Sequence, residues 1–108
     1  MINTIMTASG IPYREGRFLN PPAETYAVIF DDQEVGGPDP LPGVPRIIRH
    51  DILVELYEPK SDPDAEAALE SALVAQGLHW TKQARYWLQN VQRYQVIYEF
   101  SYIEKRRA

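Results

Sequence analysis

The sequence predicts an α+β fold: a small mixed or antiparallel sheet of about four strands, with one main helix and a short N-terminal helix on one face. Three observations carry this expectation. Strand-like faces of period two run over 48–57 and 93–104, and 25–31 is a short run that is apolar on both faces. Residues 62–77 carry apolar residues at helical spacing, with a start signal and a stop signal at their ends. The resulting order, α-β-β-α-β-β, mixes elements without the strict βαβ alternation of a parallel sheet.

Each element has a local reason. Ile2, Ile5 and Met6 share one face of a short helix that Gly10 can end. Ile11 to Phe18 reads as an extended or irregular link, stiffened by Pro21-Pro22. Thr25 to Asp31 is a strand with Tyr26, Val28 and Phe30 on one side and Ala27 and Ile29 on the other, which suits a central position. From Gln33 to Pro45 the run QEVGGPDPLPGVP is so dense in proline and glycine that it predicts a long loop, floppy or ordered against a neighbour.

The next strand turns Ile48, His50, Ile52, Val54 and Leu56 to one face and Asp51, Leu53, Glu55 and Tyr57 to the other. Pro59 ends it, and Asp62 is placed to cap a helix that has Pro63 first and Asp64 and Glu66 in its opening turn. Ala65, Leu69, Ala72 and Leu73 form its apolar stripe; Gly77 closes it, with Leu78 folding back on Leu73. Leu78 to Trp87 reads as a third strand and Asn90 as a turn. In the last strand, Arg93 to Glu104, Val96, Tyr98, Phe100 and Tyr102 face one way and Ile97, Glu99, Ser101 and Ile103 the other. The KRRA end is expected to fray.

The 108 residues suit a single domain, 1–108, with the long loop at 33–45. Cysteine is absent, which removes disulfide and thiolate-metal chemistry. No apolar run approaches bilayer-spanning length, and MINTIMTASG lacks the marks of a secretory signal, so an intracellular product is expected. The net charge of −4 argues against a general nucleic-acid binder. Its distribution is uneven: residues 1–78 hold 5 basic and 13 acidic side chains, residues 79–108 hold 6 and 2. Either both sets are solvated, or an acidic side meets the basic side of an identical neighbour.

Chemistry is sparse. His50 and His79 lack ligand spacing, and His50 reads as a satisfied core or rim histidine. Asp62, Asp64 and Glu66 are explained by capping rather than by calcium, and Gly36-Gly37 is not followed by the residues of a phosphate loop. No catalytic, cofactor or metal residues are assigned, and no enzyme activity or small-molecule substrate is expected. Trp80, Tyr86, Trp87 and Tyr94 alternating with Lys82, Arg85 and Arg93 could stack bases, but suit a protein interface better. The candidate interface set is Glu34, Asp39, Leu41, Trp80, Lys82, Arg85, Tyr86, Trp87 and Arg93.

Five features in order carry a family resemblance: Ile11-Pro12-Tyr13; Pro21-Pro22 leading to Tyr26-Ala27-Val28-Ile29-Phe30; Val54-Glu55-Leu56-Tyr57; the turn Lys60-Ser61-Asp62 with its acidic helix; and Tyr94-Gln95-Val96-Ile97-Tyr98-Glu99-Phe100. Over roughly Ile11 to Glu104 the chain resembles the small tail-completion proteins of long-tailed, non-contractile bacteriophages and prophages. It departs from that pattern at Ala23-Glu24 and in the proline content of 33–45. The resemblance implies a virion structural protein without catalytic residues. It implies a homo-oligomeric ring, sixfold, at the head-proximal end of the tail tube. The implied partners are the tail tube protein and the head–tail connector, with DNA passing through the ring, and the implied site of assembly is the bacterial cytoplasm. A head-side adaptor and a small nucleic-acid-binding module using the C-terminal strands stand as the alternatives.

Overall fold

The structure is a computed structural model and describes residues 1–36 and 46–106. It is an α+β fold with helices α1 (Ile2–Ser9) and α2 (Pro63–Ala75). The strands are β1 (Tyr13–Glu15), β2 (Tyr26–Val35), β3 (Arg46–Glu58), β4 (Trp80–Lys82), β5 (Tyr86–Leu88) and β6 (Arg93–Arg106). The mixed sheet has six strands rather than about four, in the order β1-β2-β3-β6-β4, with β5 also on β6. β1 runs parallel to β2, and the other pairings are antiparallel.

The difference comes from three three-residue strands, β1, β4 and β5. Tyr13–Glu15 lies in the predicted irregular link and pairs with Ala27–Ile29, a parallel contact with too few residues to show a period. The expected strand over Leu78–Trp87 is broken into β4 and β5. Trp80–Lys82 pairs with Phe100–Tyr98 and Tyr86–Leu88 with Gln95–Arg93, so Gln83, Ala84 and Arg85 stand opposite only Val96 and Ile97. One extra residue is a β-bulge, and it shifts the alternation of faces by one.

β2 also extends further than its local composition suggests. Gln33, Glu34 and Val35, expected in the proline-rich loop, pair with His50, Arg49 and Ile48. A long partner strand supplies hydrogen bonds that outweigh weak local propensity. The remainder of that loop, with Asp39 and Leu41, lies outside the described residues.

Both helices cover the same face of the sheet, here the inner face. Ile2, Ile5, Met6, Leu69, Ala72 and Leu73 pack on Ala27, Ile29, Ile52, Val54, Leu56, Val96, Tyr98 and Phe100. Each predicted inward residue of β3 and β6 is found there, because neighbouring strands keep their alternation in step. Asp62 caps α2 by accepting from the Ala65 amide at 3.1 Å, and Thr25 donates to its other oxygen at 2.6 Å. At the far end Gly77 has φ +70°, with Gly77 N–H bonded to Val74 O and Leu78 N–H to Leu73 O. That pair of bonds is a Schellman motif.

Candidate functional site

Strand alternation arranges the outer face in rows. From the free end of β3 and β6 the first row is Ile47 and Lys105, followed by Glu34, Arg49 and Ile103. Asp32, Asp51 and Ser101 come next, then Phe30, Leu53, Glu99 and Thr81. Arg14, Val28, Glu55 and Ile97 follow, and Tyr26, Tyr57, Gln95 and Tyr86 close the face. Phe18 meets Tyr26 edge-on at 5.1 Å, so the link after β1 covers the tyrosine end. The middle is open: a shallow depression of about 450 Å³ is lined by Asp32, Asp51, Leu53, Thr81, Glu99 and Ser101. Phe30, Ile47 and Ile103 are 41%, 48% and 57% exposed. Apolar side chains among charged ones, with no helix of the described residues over them, form a surface suited to protein contact.

The inner face carries two buried polar clusters. In the first, Glu58 at the end of β3 is fully buried, and Glu66 of α2 nearly so. Arg85 donates to Glu58 at 3.3 Å and also to Glu66, while Lys82 lies 2.8 Å from Glu66 and 3.1 Å from Glu70. Tyr98 donates to Glu70 at 2.7 Å. The bulge brings this cluster about, since without the extra residue Arg85 would point to the outer face. Burial, then the proximity of Glu66, pushes the Glu58 carboxyl up to about 7. Glu58 Oε2 is buried and accepts no bond from any described donor; the hydrogen bond between the Glu58 and Glu66 carboxyls needs a proton, which Glu58 holds. Burial alone would raise Glu66, but bonds from Glu58, Lys82 and Arg85 outweigh it and hold that carboxyl low.

In the second cluster His50 lies between Asp31 of β2 and Glu104 of β6, stacked on Tyr102 with ring centroids 4.5 Å apart. Burial works against the imidazolium, yet hydrogen bonds to Glu104 and Asp31 prevail and raise its pKa. It is the satisfied histidine that its strand position predicts.

The sequence-predicted interface residues do not form one patch. Glu34 is exposed on β2; Trp80 is half-buried and packs on the edge of the core. Tyr86 and Trp87 are 67% and 43% exposed on β5 and point to opposite faces. Lys82 and Arg85 are consumed by Glu66, Glu70 and Glu58, and Arg93 donates to the carbonyls of Pro22 and Ala23. The basic C-terminal segment therefore supplies less free charge than its count suggests. Sequence reasoning missed Glu58, whose only local signal is an even position on β3, and treated Glu66 as a capping residue.

No cluster of metal-ligating side chains and no helix long and apolar enough to cross a membrane occurs among the described residues. Comparison with known proteins finds no family model that matches the chain and no curated protein with a significant match.

Proposed function

We propose that this chain is a structural protein of a bacteriophage virion: a tail-terminator or tail-completion subunit. It forms a ring at the head-proximal end of the tail tube and joins the tube to the head connector. The resemblance of residues 11–104 to such proteins motivates the reading. The observation that carries it is the outer sheet face, where exposed Phe30, Ile47 and Ile103 stand among charged side chains and no helix of the described residues covers them. The deeply buried ionisable groups are spent on internal bonds, which suits a building block better than a catalyst. The nucleic-acid reading needs free cations beside the C-terminal aromatics, and Lys82, Arg85 and Arg93 are engaged within the chain.

The test is light scattering of the protein at low and high salt, alone and with tail-tube protein from the same phage or prophage. A closed oligomer, or a complex on the tube end, is the expected result. A monomer that binds neither itself nor the tube overturns the reading.

A further inference from the structure

The outer face is divided along its length by charge. Its free-end rows hold the cations Arg49 and Lys105 with one carboxylate, Glu34. The middle rows hold Asp32, Asp51, Glu55 and Glu99; one cation, Arg14 of β1, shares the Glu55 row and lies over the Phe18 ring at 5.4 Å, outside the rows from Ile47 to Glu99. Arg49 already meets Asp51 at 3.2 Å, where the two zones join. Lys105 and Asp32 have no ion-pair partner among the described residues, and Glu99 accepts only from the Gln83 amide, at 3.3 Å. Apolar groups accompany both zones: Ile47 and Ile103 at the free end, Phe30 and Leu53 in the middle.

We propose that this face docks on the same face of a second copy of the chain, as a two-fold pair. Both zones lie on one face, so a contact between two such faces is self-complementary about an axis across the strands. That axis inverts the order of rows and keeps each strand over its own counterpart. Placed between the Arg49 row and the Asp51 row, it sets Lys105 of each copy over Glu99 of the other. It also sets Arg49 over Asp51, and Ile47 over Leu53. The Lys105 and Glu99 rows are separated by three two-residue steps, about 20 Å. Two sheets packed about 10 Å apart place these side chains within reach of one another. One contact is unfavourable: Glu34 of each copy comes over Asp32 of the other, at the edge strand. The proposal does not depend on the virion reading, since it concerns only association of the chain with itself.

Sedimentation equilibrium at low salt tests it. The wild type is expected to give a two-subunit species that weakens as salt rises. Glu99→Lys and Lys105→Glu each weaken association at least tenfold, while an equimolar mixture of the two associates again. The double variant also recovers, which a folding defect would not allow; circular dichroism of each single variant checks the fold. Glu34→Lys removes the like-charge contact and tightens association. A wild type that stays monomeric at low salt overturns the proposal. So does association that neither single substitution changes, an outcome that leaves an oligomer built through other surfaces intact. A two-subunit species that obeys the charge swap but never binds tail-tube protein upholds this contact and counts against the virion reading.

Discussion

His50 Nδ1 lies 2.9 Å from Asp31 Oδ1, joining β2 to β3, while its Nε2 reaches Glu104 on β6 at 2.7 Å. Both ring nitrogens face carboxylates, so the protonated ring satisfies both as a donor. The folded-state pKa is raised, and the folded chain binds this proton more tightly than the unfolded one. The resulting stability is fully present below the unfolded value of 6.5 and is lost as pH rises through the raised folded value. Urea unfolding of wild type and His50→Gln across this range is expected to show the wild-type advantage shrinking with pH. His50→Ala, which leaves the nearly buried Asp31 without its cation, is expected to cost about 2–3 kcal/mol at pH 6.

Glu58 works in the same direction by a different route. Its folded pKa, about 7, exceeds the unfolded 4.5, so the native state holds a proton that the unfolded state releases. Stability therefore falls as pH rises from the lower value to the higher one. Glu58→Gln keeps the shape and removes the titration. It is expected to match wild type near pH 4.5 and to exceed it above pH 7, by at most about 3 kcal/mol. Unfolding curves for the two proteins at pH 5 and pH 8 decide it; equal differences at both would show that Glu58 does not titrate in this window.

The long elements were legible because their causes are local or periodic. Asp62, Pro63 and Gly77 mark the ends of α2 by backbone chemistry that involves only near neighbours. The inward sets of β3 and β6 follow from alternation that holds over 13 and 14 residues. β1 was not legible, because Tyr13–Glu15 is too short for a period and its partner strand lies beyond the link. The bulge at residues 83–85 was hidden for a related reason: it is a mismatch between two strands, written in neither alone. It conceals the Glu58–Arg85–Glu66 cluster, which joins the end of β3, the bulge and α2. Of the surface, the apolar and acidic outer residues of β3 and β6 could be read in advance. The engagement of Lys82, Arg85 and Arg93 inside the chain could not.

The C-terminal cap of α2 can be tested without disturbing packing. Gly77 has φ +70°, and a Cβ built there meets no atom within 4 Å. A substitution therefore reports backbone strain alone. Gly77→Ala is expected to lose about 1 kcal/mol, and Gly77→Asn less, because asparagine tolerates the left-handed region. Equal losses for the two in thermal unfolding would place the cost elsewhere.

Among the described residues Arg85 is the cation that joins Glu58 to Glu66, and its planar head reaches both from the bulge. Lys82 also serves Glu66, but no bond joins it to Glu58. Arg85→Lys keeps the charge while losing the fork that spans two carboxylates. Arg85→Met keeps much of the stem and removes the charge. With the cation gone, Glu58 and Glu66 repel, so Glu58 holds its proton to higher pH. The Met variant is expected to lose about 2 kcal/mol at pH 8 and less at pH 5, where a proton on Glu58 relieves the repulsion. The Lys variant should fall between it and wild type. A carboxyl-resolved NMR titration of Glu58 gives the independent reading: its midpoint should move upward in Arg85→Met, and an unmoved midpoint would show that Arg85 does not set the charge of this pair.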